Sequence, residues 1–233
     1  MTLGLVKWSD LHPWVSPYVV PKLQRLRDLV LAANEQLNLT RITEESAFIE
    51  KHVLDSLLGL EGIGESESWV DVGAGGGFPG LVIAIARSDF PVLLVEAVQK
   101  KARFLEDTAE ALGLHNVQVT AERAEDAARS RRETFTRASA RAIGSLALCL
   151  EYTLPFVKEG GEAVLYRGPE DAEAEDALAQ KIAPQLGGGV PRMKEHTLPS
   201  GDRRRIVFIP KVAPTPDRFP RRTGAASKRP LGP

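Results

Sequence analysis

The residues best suited to chemistry in this sequence are the glycines of Asp71-Val72-Gly73-Ala74-Gly75-Gly76-Gly77-Phe78-Pro79-Gly80, set between an apolar strand and an apolar helix. Glycines there permit a tight turn and let a ligand approach the backbone without meeting a Cβ. The carboxyl end of a parallel strand is also where open α/β sheets bind ligands. Spacing then restricts the ligand. A dinucleotide fingerprint needs G-x-G-x-x-G, and counting from Gly73 and Gly75 puts Phe78 at the third glycine. Counting from Gly75 and Gly77 reaches Gly80, but Pro79 then removes an N–H from the turn that must cradle a pyrophosphate. Asp71 points the same way. An acid in the turn is awkward for a diphosphate and compatible with a cationic ligand.

Twenty-five residues beyond Asp71, Glu96 closes the next apolar run, where sheets of this kind place an acid to accept hydrogen bonds from both ribose hydroxyls. Alone it is a common strand-terminal acid; with the glycine turn it makes a pair. His52 and Asp55 are three residues apart and so share a helix face. Cys149 sits in an apolar helical stretch and reads as a small buried hydrophobe, with no histidine–acid pattern to make it a nucleophile. His12, His115 and His196 have no metal-ligand spacing, and no metal is expected. Trp8, Trp14 and Trp69 read as packing residues.

The elements that must position these groups are legible. Residues 18–37 carry Val19, Leu23, Leu26, Val30 and Leu37 at helical spacing, and a second helical stretch covers 44–60, ended by Gly62 and Gly64. Strands and helices then alternate. Strands are expected at 69–72, 91–96, 117–119, 135–139 and 161–166, and helices at 79–87, 99–112 and 145–157. That alternation signifies a mostly parallel sheet covered on both faces. An acidic helical stretch at 170–181 precedes two closing strands, 195–198 and 205–209, around the turn Pro199-Ser200-Gly201-Asp202. The boundaries expected are a helical segment over 1–64, a ligand-binding domain over 65–213 and a basic, irregular tail over 214–233.

Composition bounds the rest. A formal net charge of −1 excludes a uniformly basic coat but leaves room for a local basic face. A single cysteine excludes an internal disulfide and fits a reducing compartment. The start, MTLGLVKWSDLHPW, lacks the pattern of a signal peptide, and charged residues interrupt every apolar run before membrane-spanning length. A cytoplasmic, monomeric protein without a membrane partner is the expectation.

The D-x-G-x-G-x-G turn resembles motif I of Rossmann-like (class I) methyltransferases, whose cofactor, S-adenosylmethionine, carries a sulfonium and no phosphate. Further segments narrow the resemblance. Asn38-Leu39-Thr40-Arg41-Ile42, Lys51-His52-Val53-Leu54-Asp55-Ser56-Leu57 and the Phe-Pro-Gly ending of the turn carry it. So do Lys100-Lys101-Ala102-Arg103-Phe104-Leu105, Arg123-Ala124-Glu125, Arg141-Ala142 and Pro220-Arg221-Arg222. Together they resemble the small-subunit (16S) ribosomal RNA guanine-N7 methyltransferase G family, also called glucose-inhibited division protein B. The resemblance covers nearly the whole chain. Three positions depart from it: Glu122 replaces the usual glycine, Arg167 stands for lysine before Gly168, and Thr136-Arg137 follow Phe135 where an acid is common.

The resemblance implies cofactor contacts at Asp71, Gly73, Gly75, Phe78, Glu96, Ala97, Val98, Ala124, Glu125 and Arg141, with Ala124-Glu125 in a loop along the adenine. It implies methylation of guanine N7, an acceptor with a free lone pair, which needs alignment and desolvation but no general base. No catalytic base is therefore assigned. His52, Asp55 and Arg141 are candidates for shaping the target pocket, with a structural hydrogen-bonded pair as the alternative for the first two. Candidate RNA contacts are Lys100, Lys101, Arg103, Arg167, Arg204, Arg221 and Arg222. The wider run Arg203, Arg204, Arg205, Lys211, Arg218, Arg221, Arg222, Lys228 and Arg229 faces only Asp217 and is expected to form a one-sided basic surface, to which Arg129, Arg131 and Arg132 add. The partner implied is 16S RNA or the small subunit. A methyltransferase of a small molecule or protein, and a non-catalytic RNA-binding module, remain as alternatives; the basic tail disfavours the first and the intact acids and glycines disfavour the second.

Overall fold

The computed structural model describes residues 5–65, 67–170 and 172–232. The first four residues of the amino-terminal stretch, and Asp171 within the expected acidic helix, lie outside them.

After two 3-10 turns (Trp8–Leu11 and Pro17–Val19), the helical segment continues with α1 (Val20–Leu37), which buries Leu23, Leu26 and Val30 and ends at Asn38 in the left-handed conformation (φ 50°). A continuous helical run follows, and Glu44 caps it by accepting from Ser46 N and Ala47 N. It comprises α2 (Glu45–Phe48), a π-helical stretch (Ile49–Leu54), α3 (Asp55–Leu57) and a closing 3-10 turn (Leu58–Leu60). The wide π turn carries Lys51 and His52, a local distortion often found at functional sites.

Strands β1 (Trp69–Val72), β2 (Val92–Val95), β3 (Val117–Thr120), β4 (Phe135–Arg141), β5 (Val157–Arg167), β6 (Arg192–Thr197) and β7 (Arg203–Pro210) form one sheet in the order β3-β2-β1-β4-β5-β7-β6. β1 to β5 are parallel, and β7 runs antiparallel between β5 and β6. This is the mostly parallel sheet with antiparallel closing strands anticipated from the sequence. Strand order reverses between β1 and β4, so the crevice for a ligand opens at their carboxyl ends.

Side-chain alternation divides the core between the two faces. Trp69 packs with α1, α4 (Gly80–Ala86) and α5 (Gln99–Ala111), whereas Val70 and Val72 pack with α6 (Ala124–Ser130), α7 (Leu146–Thr153) and α8 (Ala172–Ile182).

Three expectations need correction. Residues 124–130 form a helix, α6, so Ala124 and Glu125 open a helix rather than lying in a loop. β4 and β5 run past their expected ends, carrying Arg141 and Arg167 in the sheet. The tail is not wholly irregular: it forms α9 (Ala225–Lys228), and Phe219 and Ala226 are buried against the body. Burial there comes from a few apolar side chains in a polar sequence, too sparse to show as periodicity.

Candidate functional site

The turn after β1 uses up its own donors. Gly73 N and Ala74 N bond Val95 O, Gly77 N bonds Ala74 O, and Gly80 N bonds the Asp71 carboxylate at 2.9 Å. Few N–H groups remain for a diphosphate, as the spacing suggested. Gly73, Gly75 and Gly77 all have positive φ (73°, 55° and 92°), a region L side chains rarely adopt. A Cβ at Gly73 would meet Ile143 Cγ2 at 2.4 Å; one at Gly75 would enter open space, its nearest neighbour Gly73 O at 3.7 Å.

Asp71 is buried beneath this turn. Its Oδ1 accepts from Ser139 Oγ on β4 at 2.7 Å, and that hydroxyl in turn accepts from Trp69 Nε1. Burial pushes the Asp71 carboxyl up to about 6, against the opposing effect of Ser139, Gly80 and Arg141. Both oxygens are thus committed to holding the turn, and Asp71 acts on a ligand through the turn's shape. Ser139 went unnoticed in the sequence, because its only signal was a polar residue at an inward position of a strand.

Glu96 behaves differently. Its Oε2 accepts from Gly75 N at 2.9 Å and its Oε1 from Val98 N at 2.8 Å, so each oxygen keeps lone-pair capacity directed away from the backbone. It lines a cleft of about 140 Å³ with Gly73, Ala97, Ala124, Glu125, Ile143 and Tyr152. Glu122 and Arg123 complete the wall, and Glu122 is itself held by Thr120 Oγ1 and Arg131. Glu125 accepts from Tyr152 Oη at 3.1 Å; burial, with the Glu125 charge adding, pushes that phenol up to about 12. A strand-end carboxylate with free lone pairs, glycines that leave the approach bare and an apolar wall from Ala97 and Ile143 suit the sugar and base of a nucleoside. Neither Gly75 nor Phe78 nor Val98 lines this cleft directly; Gly75 and Val98 join it through Glu96.

A second cleft, of about 340 Å³, adjoins at the end of β4. Ile42, Lys51, Asp55, Arg141, Ala142, Tyr166, Arg167, Gly168 and Arg204 line it. Arg141 ties it together: Nη2 donates to Lys51 O at 2.9 Å and to His52 Nδ1 at 3.0 Å, and Nη1 lies 3.0 Å from Asp55 Oδ2. Arg141 Nη1 and Asp55 Oδ1 have no hydrogen-bond partner of good geometry, although Arg204 Nε stands 3.5 Å from the latter. Both atoms are buried, held by the charge of the Arg141–Asp55 pair rather than by well-formed hydrogen bonds. Burial raises the Asp55 carboxyl, and the two guanidinium groups oppose the rise.

Because Arg141 donates to Nδ1, the proton of neutral His52 belongs on Nε2, which faces Thr40 Oγ1 at 2.7 Å. The imidazole stacks on Phe78 with centroids 4.2 Å apart and planes 8° off parallel. Burial, then the Arg141 charge, lowers the His52 pKa to about 3. His52 stays neutral and clamps the Phe-Pro-Gly end of the glycine turn to the helical segment.

The expected RNA-facing cations divide. Lys100 is exposed, and Arg103 pairs with Glu106 and Asp107 on the same helix. Lys101 is half-buried. Arg167 donates to Gly144 O and pairs with Glu175 while still lining the second cleft. Arg221 clamps the buried Glu151, and Arg222 is exposed. The one-sided basic surface expected from the whole run is corrected: Arg205 and Lys211 are buried against Asp176 and Glu133, and Arg203 pairs with Glu195.

The sheet order, the glycine turn and the strand-end carboxylate define a class I methyltransferase whose cofactor is S-adenosylmethionine. Solved structures share the fold. A 16S rRNA (adenine(1408)-N(1))-methyltransferase from Catenulisporales acidiphilia, with its cosubstrate SAM, superposes with TM-score 0.52 over 65% of this chain and 88% of that one, at 16% identity. Cofactor-bound Rv0187 from MTB gives 0.58 over 90% of this chain and 100% of that one, at 17% identity.

Sequence relatives are more specific. The family described as GidB, rRNA small subunit methyltransferase G, matches residues 19–198. The ribosomal RNA small subunit methyltransferase G of Synechococcus elongatus is 41% identical over 99% of this chain and 98% of its own length. That of Gloeobacter violaceus is 44% identical over 97% and 91%. The chain belongs to the rRNA small subunit methyltransferase G family.

Proposed function

We propose that this protein transfers a methyl group to N7 of a guanine in 16S ribosomal RNA, acting in the cytoplasm as a monomer. The observation that carries this reading is the open second cleft, rimmed by Lys51, Arg141, Arg167 and Arg204, adjoining the nucleoside cleft in a chain of this family. When bound, S-adenosylmethionine supplies an electrophilic methyl on its sulfonium. Glu96 accepts the ribose hydroxyls, Ala97 and Val98 flank it, and Ala124 and Glu125 border the base. Gly73 and Gly75 leave the main chain bare for the amino-acid end, and the Arg141 guanidinium, which lines the neighbouring cleft, lends its positive charge to that end's carboxylate. Phe78 holds the turn in place through its stack on His52.

The chain supplies no proton acceptor to the target because N7 carries no proton. What the residues must do is align the base and accommodate the positive charge that arrives on it. Asp55, buried behind Arg141 and Arg204, contributes the nearby negative charge. Lys51 and Arg204 at the rim, which share Asp202, and the exposed Lys100 are the cations offered to the phosphates. A target base must leave its stack to reach such a cleft, which suits a single-stranded loop.

The test is incubation of purified protein and labelled cofactor with small ribosomal subunits and, separately, naked 16S RNA, followed by mapping of the modified base. Label at one guanine of 16S RNA, lost on chemical cleavage at N7-methylguanine, is expected. Label on protein or small molecules but not on 16S RNA refutes the reading.

A further inference from the structure

The carboxyl-terminal tail encloses a groove of about 600 Å³, larger than either cleft described above. Arg218, Arg222, Lys228 and Arg229 line it, all four exposed, and no acidic residue does. We propose that this groove is a dedicated site for the phosphodiester backbone of RNA; the proposal rests on the reading of the protein as an RNA methyltransferase.

Charge alone would be weak support, since exposed cations are usually solvated. The stronger ground is that like charges are held together by a frame that spends other residues to do it. Arg221 is not a groove cation in function: its Nε and Nη2 bond the fully buried Glu151 carboxylate at 2.8 and 2.6 Å, and its own N–H bonds Glu151 Oε1 at 3.1 Å. Arg129 Nη2 donates to Arg221 O, and Thr223 Oγ1 donates to Asp126. Arg132 Nη1 donates to Phe219 O on the approach to the groove. A tail fixed by this many long-range bonds keeps four cations in mutual repulsion, which costs stability unless an anion repays it. Among the described residues none of the four pairs with a carboxylate, whereas Arg205, Lys211 and Arg221 nearby in sequence all do.

Placement adds a second argument. Gly224 N, inside the groove, donates to Glu125 Oε1 at 2.8 Å, and Glu125 lines the nucleoside cleft. One buried side chain thus separates the two cavities. An RNA strand seated in the groove would therefore run beside the Glu125 end of the nucleoside cleft. A ribose-phosphate chain, concave-fitting and multiply charged, matches a concave array of guanidinium and ammonium groups better than a single small anion does.

The experiment compares the wild type with the triple variant Arg222→Gln, Lys228→Gln, Arg229→Gln, and with Arg221→Gln. Binding of a mixed-sequence single-stranded RNA oligonucleotide is measured across a salt series, with polyglutamate as a non-RNA polyanion. Loss of three phosphate contacts flattens the plot of log K against log salt by about 2, from roughly 0.7 per contact for single strands. RNA affinity at physiological salt falls at least tenfold, while cofactor affinity by calorimetry stays within twofold. Arg221→Gln instead lowers the melting temperature. An unchanged slope and RNA affinity in a folded triple variant overturns the proposal, as does polyglutamate binding as tightly as RNA. A wild type that binds RNA through the groove yet methylates no ribosomal RNA refutes the functional reading and leaves the groove standing.

Discussion

The neutral His52 sets a measurable signature on the stability of the whole protein. Its imidazole is 6% exposed, stacked on Phe78, and denied a proton at Nδ1 by the Arg141 donor. With the folded pKa lowered from 6.5 to about 3, the unfolded chain takes up a proton below pH 6.5 that the folded chain refuses. The sign follows from linkage: the unfolded state binds more protons over pH 3–6.5, so stability is full above 6.5 and is lost as pH falls. The slope is one proton, or about 1.4 kcal/mol per pH unit once the unfolded histidine is mostly charged. Between pH 7 and pH 5 this integrates to about 2 kcal/mol, a sizeable share of the 5–15 kcal/mol typical of a domain. Urea unfolding at half-unit pH steps, in wild type and His52→Gln, isolates it, because other titrating groups cancel in the difference. The variant is less stable at pH 7, having lost the stack and the Arg141 bond. Its deficit then shrinks by about 2 kcal/mol on going to pH 5. A deficit that stays constant, or widens, over that interval would show that His52 takes a proton in the folded state and that the clamp on the turn is wrongly described.

Three further outcomes follow from individual contacts. Gly75→Val places a β-branched residue at φ 55°, costing about 1–2 kcal/mol locally, and fills space open to the cofactor; calorimetry should show affinity for S-adenosylmethionine reduced at least a hundredfold with circular dichroism unchanged, and retained affinity would place the cofactor elsewhere. For Asp71, raised from 3.8 to about 6, the sign is opposite to that of His52: the folded state holds the extra proton, so this group's contribution is fully present below 3.8 and lost as pH rises through 6, by about 3 kcal/mol in all. Asp71→Asn removes that dependence, since an amide can still accept from Gly80 N and donate to Ser139 Oγ; an unaltered pH profile in the variant refutes the assignment. Glu151→Gln weakens the clamp on Arg221, a partly exposed partner, by about 2 kcal/mol, and limited proteolysis should then cut within 218–232; a tail still resistant would mean that Phe219 and Ala226 alone hold it.

What the sequence made legible was what local pattern encodes. Alternating apolar strands and helices specify a parallel sheet, and a glycine turn followed by an acid at the next strand's end specifies where a ligand meets it; both are properties of short windows. Asp71 marks the limit. Its place in the turn is readable, but its role is set by Ser139, sixty-eight residues on and itself hydrogen-bonded by Trp69, and no local window contains that partner. Tyr152 and Ile143, both in the wall of the nucleoside cleft, were invisible for the same reason.

The basic residues fail as a surface for a reason the strand itself supplies. Arg203, Arg204 and Arg205 are adjacent in β7, so successive side chains must leave on opposite faces. Arg204 reaches Asp55 and the second cleft. Arg205 goes the other way and is buried against Glu175 and Asp176 of the acidic α8, with Arg167 on the neighbouring strand meeting the same Glu175. A run of cations and a run of acids thirty residues apart, each suggestive of a charged exterior when read alone, neutralise one another across the sheet edge. Among the described residues, Arg218, Arg222, Lys228 and Arg229 in the tail have no such counterpart and keep their full charge to offer a substrate, whereas Lys51 and Arg204 at the cleft share Asp202 and reach it partly neutralised. Charge counted along a chain therefore overstates the binding surface, and subtracting the pairs that topology forces together recovers it.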